Sequence, residues 1–539
     1  MKSVSDSPAR LRSIADRISA GVNRYRYVLI VLLSIGYSFD AYIHASRKLF
    51  WFDEIFTLYV SRMPDLRSLW NVLMAGFEFN PPLLYILTRF SNSLMGETQV
   101  SSRLPEIISF WIFCLCLFRF VSVRSSALSG LLSMLFPMVT LAYWYAYEAR
   151  PYAIELGFCG IALVCWQSAT ERPTKRLSWL LGLGGALAGV LLTHGYAFLV
   201  FVPIVVGEVA RTLSRKRVDW PVWVTIVISC GAIAILIPQS LALRAVVIPA
   251  TLTHASLAGL VTNYISYLKP AAYVGFGWLI LMLVVRSKTL TLTTSTAGQP
   301  RLYETAALLA FLVIPALQCL VAKLTGAPPI ARYSICWIAG PAALLGFASA
   351  SRPLVALGTL ALLLAQIGAD NLKFRSSQFL IEPSVGYPIS TSLTHFRERY
   401  AWMEAADKTL PIALLDGFDF LPTAFYAPPD LISRMTYVKP SRADLVSIFY
   451  SGLRTWCHAE LDFPVYLGDF VSAHDTFLAY GGPSNFSVLN DLRKAGATLT
   501  VQNISPEHFL ICVKFPGKVA KIVQRQGLGD GFSLLWRAR

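Results

Sequence analysis

The sequence predicts a polytopic α-helical membrane protein, about eleven spans followed by an extracytoplasmic α/β domain. Composition is the first indication. Of 539 residues, 55% are hydrophobic and 14% charged, against about 25% charged in an average soluble chain. The second is arrangement: through the first two thirds the apolar residues form runs of roughly 15–22, the length that crosses a hydrocarbon core. The third is charge. The net charge is +16, yet residues 1–369 carry 30 Lys/Arg and 15 Asp/Glu, whereas residues 370–539 carry 17 and 16. The basic excess therefore sits in loops between apolar runs, where it sets topology and argues against a nucleic-acid partner.

Residues 1–26 form a cytoplasmic N-terminal segment, because Lys2, Arg10, Arg12, Arg17, Arg24 and Arg26 precede the first run, Tyr27–Ile43. That run lacks a small-residue cleavage site and reads as a signal anchor. The run Pro81–Met95 is short, opens Pro-Pro and contains Arg89, so it is not counted as a span. The spans then continue as Leu104–Phe118, Ala127–Tyr145, Tyr152–Gln167, Leu177–Thr193, Tyr196–Ala210, Trp220–Pro238, Ala271–Val285, Glu304–Val321, Tyr333–Ala350 and Leu354–Gly368. This register puts 19 basic residues inside and makes residues 44–102 one long outer loop of a membrane domain covering 27–369. Counting Pro81–Met95 as a span would invert the bias of every later loop.

The tail, 370–539, changes in kind. Pro411–Leu415, Met435–Val438, Thr498–Val501 and Phe509–Phe515 read as strands, and Phe418–Tyr426, Ala443–Leu453 and Phe486–Ala495 as helices, a small α/β domain outside the membrane. The nine cysteines show no metal-ligand spacing, and only Cys457 and Cys512 are available for a disulfide in this tail.

Ionisable residues in spans are costly and usually functional. Asp40, Glu106, Glu148 and Glu155 all fall near the outer ends of their spans, and the first outer loop adds Asp53, Glu54 and Glu78. Arg103, Arg150, His194 and Arg332 lie on the same face. Carboxylates and guanidiniums gathered at one face suit a phosphate-linked lipid substrate and proton-transfer chemistry.

Several local constellations occur on that face in order: Phe52-Asp53-Glu54, then Glu78-Phe79-Asn80-Pro81-Pro82-Leu83-Leu84-Tyr85, then Glu148-Ala149-Arg150-Pro151-Tyr152-Ala153, then Thr193-His194-Gly195-Tyr196, and finally Ala331-Arg332-Tyr333. Together they resemble the GT-C glycosyltransferases, specifically the bacterial protein-mannosyltransferase-like and aminoarabinose-transferase-like branch, over residues 27–350. The sequence departs from that pattern at Asn80, where the family's usual residue before Pro-Pro-Leu is His or Lys.

The resemblance implies a glycosyltransferase of the bacterial plasma membrane that takes a sugar from a polyprenyl-phosphate donor and passes it, with inversion, to an extracytoplasmic glycan, lipid or protein. Inversion needs a carboxylate to take the acceptor's proton, and Asp53 matches that role, with Glu54 and Glu78 beside it. The structural alternative for Asp53 or Glu54 is a cap on the helix that begins nearby. The resemblance also leaves room for a divalent metal ion at Glu78. Arg103, Arg150 and Arg332 are candidates to hold phosphate through paired donors; as alternatives, each could be an interfacial anchor. Glu148, Tyr152, His194 and Tyr333 complete the candidate substrate-binding set, His194 as a metal or phosphate contact or else a packing residue. Two other classes compete. A transporter or flippase would place charges near the midplane and in two related halves, and a sensor would leave the charged outer ends unexplained.

Overall fold

The computed structural model describes residues 7–75, 78, 80–171, 173–246, 256–285, 299–325, 330–384, 386–439, 453 and 465–517. Cys457 and the expected helix over 443–453, apart from residue 453, lie outside them. Among the described residues, seven helices are long and apolar enough to cross a membrane: Arg26–Arg47, Ser101–Ser122, Tyr152–Glu171, Ala197–Arg215, Trp220–Ala242, Leu302–Thr325 and Pro353–Ser376. Two further pairs are bent at a break, Ala127–Val139 with Leu141–Tyr147 by 75° and Leu257–Leu268 with Ala272–Val284 by 78°. Length and composition thus support seven to nine spans, where hydropathy predicted eleven.

The difference has two sources. Arg176–Leu191 is helical but only 16 residues long. The predicted span Tyr333–Ala350 begins in a 3-10 segment, Ala331–Ile338, broken at Ser334 (φ −114°, ψ 18°), and becomes α-helical only at Ala339. A hydropathy window registers apolar side chains and is blind to such breaks.

Residues 44–102 form three short helices, Phe52–Ser61, Leu66–Met74 and Leu83–Met95. The last has 13 residues, about 20 Å of helix against the roughly 30 Å of a hydrocarbon core, and Gly96 stops it at φ +74°. Arg89 on this helix turns back to the carbonyls of Met63 and Pro64. Within the membrane domain the helices Leu104–Ser122 and Tyr152–Glu171 pack closely, because a Cβ at Gly157 would meet the carbonyl oxygen of Ser109 at 2.8 Å.

The C-terminal region starts with an antiparallel hairpin, β1 (Phe379–Ile381) and β2 (Pro388–Ser390). After the helix Leu393–Ala405 come β3 (Ile412–Leu414), β4 (Met435–Lys439), β5 (Val465–Tyr466), β6 (Thr476–Gly481), β7 (Thr498–Ile504) and β8 (Phe509–Lys514). They form one sheet in the order β5-β4-β3-β6-β8-β7, the first four parallel and the last two antiparallel. Four of its strands and the helices Gly417–Tyr426 and Phe486–Lys494 fall where the sequence put them. The central β6 was missed: its residues are almost all buried, and so short an apolar run shows no alternation to mark it as a strand.

This domain is not a separate body. Trp51, Phe56, Leu73 and Tyr85 of the first outer loop share a hydrophobic core with Phe396, Tyr400, Phe420 and Leu421. The rings of Phe52 and Phe418 meet at 4.7 Å, and Tyr426 Oη accepts the Phe50 N–H at 2.7 Å.

Candidate active site

Contacts sort the connecting segments into two faces. On one, Arg124 pairs with Glu304 and Glu171, while Arg211 pairs with Glu208 and Asp219. On the other lie all the candidate site residues from the first outer loop, the Glu148 segment, His194 and Arg332. There they divide into two neighbouring clusters, which begin at adjacent residues of one helix.

The first cluster is built on Glu54. Arg103 donates Nε–H and Nη2–H to its two oxygens, each at 2.7 Å, and its other N–H groups reach the carbonyls of Ala45, Lys48 and Leu49 at 2.6, 2.6 and 3.2 Å. Glu54 Oε1 also accepts the Ala149 N–H at 2.8 Å. Lys48, absent from the sequence-derived set, lies 3.4 Å from Glu54 and 3.0 Å from Glu148. Lys48, Glu54 and Arg103 side chains are all 0% exposed. Burial pushes the Glu54 carboxyl up, but Arg103 and Lys48 outweigh it and hold the group below its ordinary value. With every donor of Arg103 spent on protein, this arginine has no fork left for phosphate. Glu54 likewise fastens the first outer loop to the Glu148–Arg150 segment.

The second cluster is built on Asp53. The helix takes Trp51 as its N-cap without a side-chain cap bond, and the Asp53 carboxylate turns instead toward two guanidiniums. Arg332 Nη2 lies 2.9 Å from Oδ2, and Arg150 Nε lies 3.8 Å from the same oxygen. Arg150 reaches the Asp53 carbonyl at 3.2 Å and sits 3.8 Å from Glu78. Asn80 donates to Glu78 at 3.1 Å, and Gln239, from a distant helix, donates to the carbonyls of both Glu78 and Asn80 at 2.9 Å. Unlike the Arg103–Glu54 pair, whose oxygens and donors are all used, this cluster leaves the groups at its centre incompletely satisfied. The Nε atoms of Arg150 and Arg332 and Oδ2 of Asp53 are buried without a hydrogen-bond partner, while the Asp53 side chain keeps 18% of its surface exposed.

An aromatic wall flanks the arginines. Arg332 lies 5.5 Å from the Tyr152 ring centre and 5.9 Å from that of Tyr333, and His194 packs against Tyr333 at 4.6 Å. Burial and then the two arginines hold His194 down at about 3, so the ring is neutral. Its Nδ1 accepts the Tyr196 N–H. It is placed as a packing residue rather than a cation for phosphate. A further partner comes from the C-terminal domain: Ser384 Oγ accepts from Arg332 Nη1 at 2.9 Å, and the fully buried Glu382 lies 3.7 Å away. No sequence signal marked Glu382, Ser384 or Gln239, since each acts through a partner far along the chain.

A divalent ion at Glu78 or His194 does not fit this arrangement. No group of three or more His, Cys, Asp or Glu suited to a metal occurs among the described residues. The Arg150 guanidinium lies 3.8 Å from both Asp53 and Glu78, so Glu78 already faces a cation of the protein's own.

Residues 80–242 match the family model described as dolichyl-phosphate-mannose-protein mannosyltransferase. No match is found among curated proteins. Among solved structures, the chain is similar to ArnT from Cupriavidus metallidurans bound to undecaprenyl phosphate, with 11% identity, a TM-score of 0.54, and coverage of 93% of this chain and 100% of that one. The apo form of the same protein aligns with 12% identity and a TM-score of 0.45, covering 90% and 97%. The GT-C resemblance read from the motifs is thus met by a family match over part of the chain and by a shared fold over most of it.

Proposed function

We propose that this chain, built on the GT-C glycosyltransferase fold, moves a sugar from a polyprenyl-phosphate carrier to an acceptor at the outer face of the bacterial plasma membrane, with inversion and with Asp53 as general base. The observation that carries this reading is the unsatisfied Asp53 cluster: two buried guanidiniums, each with an unpartnered Nε–H, converge on one partly exposed carboxylate. Buried donors without partners are costly, and a phosphate would supply the missing acceptors. Undecaprenyl phosphate bound to a structure of the same fold supports a lipid phosphate as the donor's carrier.

This arrangement supports a single displacement at the anomeric carbon. Phosphate oxygens draw Arg150 and Arg332 from Asp53, which frees its carboxylate. The acceptor hydroxyl gives its proton to Asp53 as its oxygen bonds to the anomeric carbon. The bond from that carbon to the phosphate oxygen breaks on the opposite side, and the polyprenyl phosphate leaves with the electron pair, its charge held by the arginines. Charges gathered at one face rather than the midplane give the carrier reading no geometric support.

The test is incubation of purified protein with labelled polyprenyl-phosphate sugars and membrane fractions, where product mobility identifies the acceptor. Transfer by wild type that persists in Asp53→Asn sinks the base assignment, and absence of transfer from every such donor sinks the activity. In intact cells that express the chain, cysteines at the exposed positions Ser93 and Thr174 should label from outside and inside respectively with an impermeant reagent.

A further inference from the structure

We infer that the tip of the β1–β2 hairpin, Glu382 with Ser384, is a positioning element of the donor site that sets the in-plane orientation of the Arg332 guanidinium. The inference rests on the reading that Arg332 holds the donor's phosphate.

The described residues of the tip are tied together by hydrogen bonds. Glu382 N–H donates to the Tyr387 carbonyl at 2.8 Å, and Gly386 N–H, at φ +71°, returns to the Glu382 carbonyl at 2.9 Å. The Glu382 carboxylate accepts the Ser384 N–H at 2.8 Å and the Ser384 hydroxyl at 2.6 Å. With its proton committed to Glu382, Ser384 Oγ presents a lone pair, and Arg332 Nη1 donates to it at 2.9 Å. The hairpin base is fixed to the site as well, since the Leu49 N–H donates to the Ser390 carbonyl at 3.1 Å.

A guanidinium needs two constraints. The Tyr152 and Tyr333 rings lie 5.5 and 5.9 Å from the Arg332 group, and ring contacts of this kind do not fix rotation within its plane. Ser384 fixes one corner, Nη1. The opposite edge, Nε with Nη2, then faces Asp53, with Nη2 at 2.9 Å and Nε unpartnered. That edge offers two parallel donors, the geometry that meets two phosphate oxygens. The C-terminal domain therefore completes the clamp although its residues need not touch the reacting atoms.

The test measures binding of undecaprenyl phosphate to the full-length protein in detergent micelles, with donor KM and kcat alongside. Ser384→Ala should weaken binding and raise KM about three- to tenfold, leaving kcat near wild type. Ser384→Thr, which keeps the hydroxyl, should restore both. Glu382→Ala should resemble Ser384→Ala, and the double variant should be no worse than either, because both break one relay. A merely structural role would lower the active fraction and kcat while leaving KM unchanged. Unchanged or tighter binding by Ser384→Ala overturns the inference alone. Failure of wild type to bind the lipid phosphate overturns the donor reading, and the inference with it.

Discussion

Asp53 and Glu54 are neighbours on one helix, both acids, both next to arginine, yet they sit in opposite kinds of environment. Around Glu54 the Arg103 fork is fully used, the side chains are wholly buried, and the contacts join segments of the fold. Around Asp53 the ion pairs are longer or poorly aligned, buried donors lack acceptors, and part of the carboxylate remains accessible. A buried charge cluster that closes on itself is architecture. One that leaves polar atoms unmet is arranged for something that arrives later. Residue type does not separate the two; satisfaction does.

The largest expected effect lies on the open side. Asp53→Asn keeps size and hydrogen bonding but cannot take a proton, so transfer should fall about 10²–10⁴-fold with protein amount and donor binding nearly unchanged. An active Asp53→Asn protein erases the functional half of the comparison. On the closed side the loss should appear in folding. Glu54→Gln leaves Arg103 buried without its carboxylate and Lys48 with Glu148 alone, a cost of about 3–5 kcal/mol, read as reduced membrane-inserted protein and a lower Tm. A well-folded Glu54→Gln chain with impaired chemistry would reverse the assignment.

Smaller effects sharpen the contrast. Arg150→Lys and Arg332→Lys keep charge and lose the fork, so each should raise donor KM about tenfold, roughly 1.4 kcal/mol, with kcat less affected. Donor dependence identical to wild type in folded variants removes that arginine from the clamp. Glu78→Gln, also in the open cluster, should fall below both in effect if its role is to hold Arg150 in place.

The smallest effect concerns a second closed cluster, in the C-terminal domain. Asp419 is held below its ordinary value although burial opposes this, because Arg399 and His508 face it at 3.0 and 3.3 Å. Asp416 is pushed up by burial and by the charge of Asp419. The sign follows by linkage. A carboxyl raised on folding costs stability above its unfolded value near 4, and the cost grows with pH until the folded group ionises. Asp416→Asn keeps the bond to the Phe418 N–H and removes that cost. The variant should gain about 2–4 °C in Tm at pH 8 relative to wild type and little at pH 4. An equal gain at both pH values contradicts the charge argument.

The sequence by itself determined the membrane class, most of the long apolar helices, the face on which the ionisable residues gather, and half of the strands of the C-terminal domain. These are properties of local runs: hydropathy, length, loop charge and short-range periodicity act over ten or twenty residues and survive without tertiary context. It did not determine which spans are continuous, because the break at Ser334 and the 75° and 78° bends are backbone events inside apolar text. Nor did it distinguish Asp53 from Glu54, or Arg103 from Arg150 and Arg332. Successive side chains on a helix diverge by about 100°, so adjacent acids meet different partners, and those partners lie far along the chain: Arg103 is 49 residues from Glu54, and Arg150 is 97 from Asp53. Lys48, Gln239, Glu382 and Ser384 carried no motif because their roles exist only through such contacts. Chain folding alone brings those groups together, and their satisfied or unsatisfied hydrogen bonds then decide which charges hold the fold and which await a ligand.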